Sequence, residues 1–267
     1  MNKLISLLIF LLLTSFKPIY SSEQQFSIET IATDLGVLWG MAIMPNNTML
    51  ITQREGAVSQ LDLNTGRINT ISGLPISSIK VGGQGGLFDI ALAPNYSNEK
   101  WLYISYNKNV GGQGATTLAR AKLENKTLSN WQDLLITKSI SNTKVHYGGR
   151  ITFDNHGHVF LSVGERGVRP NAQNLSNHAG KILRLNLDGS TPKDNPFTNK
   201  DQILPEIWSY GHRNPQGLFF NITTQQLWSS EHGPRGGDEI NLIKAGKKVK
   251  VFDVSKNMIE KAMGFLK

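Results

Sequence analysis

Between residues 40 and 229 the chain repeats one phrase four times: a glycine, a short run of alternating apolar residues, a turn rich in Pro, Asn or Asp, and a second apolar run. The first copy takes 40–45, turns at Asn46-Asn47 and returns through 49–52; the second takes 86–94, turns through 95–99 and returns through 101–106. The third takes 149–153, 154–157 and 158–163, and the fourth 217–220, 221–224 and 226–229. Each reads as a β-hairpin, because period-two alternation on both sides of a turn sorts the side chains onto two faces. Further strands are expected at 57–63, before Asn64-Thr65-Gly66, and at 181–187, before Asp188-Gly189. The glycines that open the copies lie 46, 63 and 68 residues apart. Such spacing suits the blades of a β-propeller separated by long inserted loops, with a sandwich of hairpins as the structural alternative.

Composition narrows this all-β picture. The 267 residues allow one large domain or two small ones, and 39% hydrophobic against 18% charged residues excludes a disordered polyelectrolyte. The net charge of +8 invites a nucleic-acid reading, but its placement removes it. Lys3 and Lys17 supply two of those charges, and six Lys against Asp253 and Glu260 within 247–267 supply four. A trunk left with +2 has no basic stripe to track phosphates. Residues 1–22 combine Asn2 and Lys3, an apolar run over 4–16, and Ser21-Ser22, which reads as a cleaved secretory signal. That run is too short to span a bilayer comfortably, and no second one follows, so a periplasmic or secreted protein without a stable membrane span is expected. With no Cys, disulfides, thiolate metal sites and cysteine nucleophiles are excluded.

The polar clusters sit beyond the predicted strands. They are Gly82-Gly83-Gln84-Gly85-Gly86, His146-Tyr147-Gly148-Gly149-Arg150, Gly164-Glu165-Arg166-Gly167, Gly211-His212-Arg213-Asn214-Pro215 and Glu231-His232-Gly233-Pro234. Loops at one end of a propeller surround its axis, so an imidazole, a guanidinium and several amides could meet around one planar ligand. Asn155-His156-Gly157-His158 has metal-ligand residue types but occupies a predicted hairpin turn, where solvated histidines are the better reading.

Four of these phrases, extended through Leu87, Arg150, Trp208 to Gly217, and Glu231 to Asn241, resemble the soluble pyrroloquinoline quinone (PQQ) dependent aldose sugar dehydrogenases of the glucose/sorbosone dehydrogenase family. The resemblance covers about 26–246, in family order. It implies a six-bladed propeller with PQQ over the central channel, an aldose sugar stacked upon it, and an external electron acceptor. It also implies roles. His146 matches the general base for the anomeric hydroxyl, and Glu165 an acidic residue that orients it. Arg213 and Asn214 match contacts to the quinone oxygens, and Gln84 another cofactor or substrate contact. Gly233 and Pro234 match positions whose carbonyls hold Ca²⁺. Asp238 and Glu239 are expected to play a neighbouring structural part, and His212 to be structural.

Only about four blades are legible, over 23–246, and the further blades that would carry basic residues for the PQQ carboxylates do not follow. Residues 247–267 instead read as a foreign β-α tail, with a strand over 248–252 and a helix capped by Ser255. The tail resembles a fragment of 3-hydroxyisobutyrate dehydrogenase-like enzymes but lacks their Gly-rich phosphate loop, so no nicotinamide site is expected. An unclosed ring is expected to bind PQQ weakly. The rival function is a non-catalytic propeller fragment that binds sugar or protein through the same loops. A lactonase-like hydrolase is disfavoured by the order of the His and Arg-Asn phrases.

Overall fold

Strands buried on both faces can be sorted by which residues face which neighbour, and that sorting defines this fold. The computed structural model describes residues 27–234 and 236–249. All elements below lie in the unit that starts at Ala32. The first four-stranded sheet holds β1 (Leu38–Ile43), β2 (Thr48–Gln53), β3 (Ala57–Asp62) and β4 (Ile68–Ile71). The second holds β5 (Leu87–Leu92), β6 (Trp101–Val110), β7 (Gln113–Glu124) and β8 (Thr127–Ile136), with the short helix α1 (Tyr96–Glu99) in its first turn. The third holds β9 (Gly148–Phe153), β10 (His158–Val163), β11 (Lys181–Asn186) and β12 (Ile207–Tyr210). The fourth has three strands, β13 (Pro215–Asn221), β14 (Gln226–Glu231) and β15 (Glu239–Ile243).

Every sheet is an antiparallel meander in chain order, and the leading strands β1, β5, β9 and β13 stand side by side in that order. This is a propeller arrangement of four blades, and it excludes the sandwich. Its cores are the seams between blades. On β6, Leu102, Ile104 and Tyr106 enter the seam with blade one, whereas Tyr103 enters the seam with blade three. On β10, Val159, Leu161 and Val163 face blade two and Phe160 faces blade four. Period-two alternation thus feeds two cores from one strand, which is why these strands read as nearly continuous apolar runs.

All four expected hairpins form, as do the strands expected at 57–63 and 181–187. The strand expected from Lys248 begins as a parallel bridge between Lys248 and Tyr210, with Val249 N–H donating to the Tyr210 carbonyl at 2.8 Å. Its continuation, the helix after Ser255 and the 1–22 signal all lie outside the described residues.

Near the axis one side chain reaches all four blades. Arg150 on β9 donates from Nη1 to Asp89 Oδ1 at 2.9 Å and from Nε to the Gln216 carbonyl at 2.9 Å, and its guanidinium lies 4.6 Å from the Trp39 ring centre. Asp89 is almost fully buried, and burial pushes its carboxyl up against the lowering pull of Arg150 and the Ile151 N–H.

Candidate active site

Because neighbouring strands are antiparallel, the connections divide between the two ends of the propeller. One end carries 54–56, 72–86, 137–147, 164–180, 211–214 and 232–238, which contain Gln84, His146, Glu165, Arg213, Asn214, Gly233 and Pro234. The structure therefore brings every expected site residue to one end. The Asn155 to His158 turn is at the other.

His146 comes just before β9 and has φ +54, a left-handed conformation that a non-glycine residue adopts at a cost and only when its surroundings hold it. Its N–H donates to Gln84 Oε1 at 2.7 Å, and its Nδ1 lies 2.7 Å from Glu165 Oε1. Glu165 follows β10 and is 2% exposed; its N–H donates to the Arg213 carbonyl at 2.8 Å. Gly164 permits the approach, since a Cβ there would run into the His146 carbonyl.

Arg213 is half-buried. Its N–H donates to Glu231 Oε2 at 2.9 Å and its Nη1 to the His232 carbonyl at 3.0 Å. Asn214 is buried, with Oδ1 accepting from the Gly148 N–H at 3.2 Å and from Gln216 Nε2 at 3.1 Å. Its carbonyl oxygen is thus committed to the fold and its amide Nδ2 is the group left to donate. Gln84 is in the same position: its oxygen is spent on His146.

His212 is structural, as expected. Its Nε2 lies 2.8 Å from Ser209 Oγ and its Nδ1 3.3 Å from Glu231 Oε1. This has the bonding order of a Ser-His-carboxylate triad, but all three residues are buried, so it pins strands rather than meeting substrate. Burial alone would push the Glu231 carboxyl up, but His212 and the Arg213 N–H outweigh it and hold it below the usual carboxylate range.

Two adjoining cavities open at this end. One of about 190 Å³ is lined by Trp39, Arg54, Gln84, Phe88, Tyr147 and Asn214, the other, of about 350 Å³, by Glu165, Arg169, Arg213, Glu231, Gly233 and Pro234. His232 lines both, and the two partners of His146 line one each. The aromatic rings form a chain, with Trp39 to Phe88 at 5.4 Å and Phe88 to Tyr147 at 5.3 Å. Apolar faces beside amide and guanidinium donors suit a planar aromatic polyanion. In the 232–238 loop Asp238 Oδ1 accepts from the Gly233 N–H at 2.9 Å, and the Gly236 and Gly237 carbonyls crowd Gly233 so closely that no Cβ would fit. Such hard oxygen donors suit a cation like Ca²⁺. Among the described residues no three His, Asp or Glu side chains converge as a metal set, so an ion here would rest on backbone carbonyls.

At the far end His156 is exposed, as the solvated reading expects, while His158 is partly buried. His158 Nδ1 lies 2.7 Å from Asp154 Oδ2, and His156 Nε2 lies 2.8 Å from Gln225 Oε1 in the neighbouring blade. Sequence reasoning also assigned no part to Trp39, Arg54, Tyr147, Arg166 or Glu231. Tyr147, Arg166 and Glu231 were visible only as neighbours of the glycines and histidines in the quoted clusters, and Trp39 and Arg54 only as isolated positions, with nothing in the sequence to name their partners.

The family model for glucose/sorbosone dehydrogenases matches residues 35–249. An aldose sugar dehydrogenase of Escherichia coli is 36% identical over 234 residues, covering 86% of this chain and 62% of the relative. Quinoprotein glucose dehydrogenase B of Acinetobacter calcoaceticus is 31% identical over 261 residues, covering 85% and 52%. The chain thus spans somewhat more than half the length of these relatives. The PQQ-bound form of aldose sugar dehydrogenase from Streptomyces coelicolor superposes with a TM-score of 0.74 at 29% identity, covering 84% of this chain and 64% of that one.

Proposed function

The chain belongs to the glucose/sorbosone dehydrogenase family, and from that premise we propose that it oxidises an aldose sugar at C1 to the lactone, with PQQ as the bound oxidant and an external acceptor taking the electrons. The observation that carries the reading is the His146–Glu165 pair at 2.7 Å, set among the amide and guanidinium donors of one propeller end. Oxidation at C1 removes a proton from the anomeric hydroxyl and a hydride from carbon, and the two need separate destinations. With Nδ1 committed to Glu165, His146 takes the hydroxyl proton at Nε2. The buried carboxylate fixes the ring and stabilises the imidazolium that results, the part a carboxylate plays behind any histidine base.

When bound, PQQ accepts the hydride. The partly exposed Trp39, backed by the buried Phe88 and Tyr147 rings, would lie against its rings, while the Asn214 and Gln84 amides and the Arg213 guanidinium would hold its oxygens and meet the negative charge that grows there. Arg54, Arg169 and Lys248 are further basic groups lining these cavities. The carbonyls of Gly233 and Pro234 would hold Ca²⁺ beside the cofactor. Export belongs to the same proposal, with the mature chain beginning near Ser22 or Glu23. Among the described residues no helix is long and apolar enough to cross a membrane.

The test is an assay of purified intact protein with an artificial electron acceptor and a panel of aldoses, with PQQ and Ca²⁺ present or withheld. Sugar-dependent turnover that requires PQQ and falls after chelation is expected. Sugar binding without turnover would overturn the proposal.

A further inference from the structure

Arg166 is 1% exposed, yet none of its guanidinium nitrogens lies within salt-bridge distance of a carboxylate among the described residues. Nη2 donates to the Thr143 carbonyl at 2.9 Å, and Nε and Nη1 find no acceptor. A buried cation with two idle donors is costly, so its contacts should account for it. They all fall on the segment that presents His146. The guanidinium lies 3.5 Å from the ring centre of Tyr147, a cation-π stack at close range. Thr143 Oγ1 returns a bond to the Arg166 carbonyl at 2.8 Å, and the Arg166 N–H donates to the His146 carbonyl at 3.3 Å. On its other side Tyr147 is steadied by its own hydroxyl, which donates to the Thr143 carbonyl at 3.2 Å and accepts from Asn107 Nδ2 at 3.4 Å.

These contacts close a ring around the strained residue. Arg166 grips Thr143 on one side of His146, Tyr147 on the other and the His146 carbonyl between, while its neighbour Glu165 takes the imidazole. Backbone and side chain of His146 are thus held by two consecutive residues of one loop. The geometry points to Arg166 as a positioning residue that keeps His146 at φ +54 so that its ring meets Glu165. This rests on the proposed role of His146 as base and extends it to a residue that never reaches the sugar.

The test compares Arg166→Met, which keeps the stem but removes the charge and the plane, with Arg166→Lys, which keeps the charge. In ¹⁵N-histidine-labelled protein the hydrogen-bonded His146 ring proton is identified by its loss in His146→Gln. Arg166→Met is expected to abolish or broaden that signal and to lower kcat about tenfold or more, with KM for the sugar and PQQ affinity within about twofold; a misplaced reacting group costs this much or more. Arg166→Lys should recover part of both. If Arg166→Met does not fold, Tyr147→Leu, which removes the stack, should move the same signal. A folded Arg166→Met protein with an unchanged ring signal and kcat within about twofold of the parent would overturn the inference. A parent protein that oxidises no aldose would defeat the functional proposal instead, and the ring signal would still judge the clamp.

Discussion

The two ends of the propeller are built from the same strands but closed by different means. At the far end four turns are closed by their own side chains: Asp62 Oδ1 accepts the N–H groups of Asn64 and Thr65, Asp154 Oδ1 those of His156 and His158, Asp188 Oδ1 that of Ser190, and Asn221 Oδ1 those of Thr223 and Thr224. At the site end the defining bonds join residues far apart in sequence. His146 meets Gln84 across 62 positions, Gly148 meets Asn214 across 66 and Arg150 meets Asp89 across 61. A turn closed by its own side chain is an autonomous unit, whereas a loop closed by other blades depends on the whole fold for its shape. The far end should therefore report stability, and the site end should report rate.

His146→Ala gives the largest expected effect. Loss of a positioned general base should lower aldose oxidation by roughly 10²-fold or more while the melting temperature stays close to the parent's. A rate within about threefold of the parent, measured with saturating PQQ, would remove His146 from the chemistry. Glu165→Gln comes next. It keeps the shape of the buried side chain but removes the charge behind the imidazole, and kcat should fall about tenfold. An equal fall in kcat and in melting temperature would mean that Glu165 serves the fold.

Lys181 sharpens the contrast through pH. It is fully buried at the start of β11, where Nζ donates to the Asn171 carbonyl at 2.9 Å and the Ala179 carbonyl at 2.7 Å, so the 164–180 loop hangs on an ammonium without a carboxylate. Burial pushes its pKa down from 10.5 to about 7. The folded state therefore holds this proton more weakly than the unfolded state, and the contribution to stability rises with pH from about 7 to 10.5 and is flat below 7. Melting temperatures of parent and Lys181→Met should diverge by several degrees in the parent's favour between pH 7 and pH 9.5. An identical difference at both pH values would show that the lysine titrates normally. The smallest effect is expected at the far end. Asn221→Ala removes one local turn closure, which should cost about 1 kcal/mol and leave kcat unchanged.

The same contrast explains what could be read from the sequence. Hairpins at 40–52, 149–163 and 217–229 were legible because alternation and turn chemistry are local. The strands β7 and β8 were not, since β7 alternates small residues such as Ala115, Ala119 and Ala121 that carry little apolar contrast. His146, Arg213, Asn214 and Gln84 were reached through phrases shared with a family, and a phrase names residues without naming their partners. Glu231 stood in one of those phrases, and Arg166 in the Gly164 to Gly167 cluster, with no part assigned. Only the pairing of neighbouring strands, which sets Pro215 opposite Glu231 and Gly148 opposite Val163, shows that Glu231 binds the Arg213 N–H and that Arg166 stacks on Tyr147.

The central claim is that His146, held by Glu165, removes the proton that lets a bound quinone oxidise the sugar. Anaerobic stopped-flow absorbance on purified intact protein loaded with PQQ and Ca²⁺, mixed with aldose, reads that step without any electron acceptor. The account predicts rapid spectral reduction of the cofactor in the parent and, in His146→Ala with equal cofactor loading, reduction slowed by roughly 10²-fold. Equal reduction rates in the two proteins would contradict it.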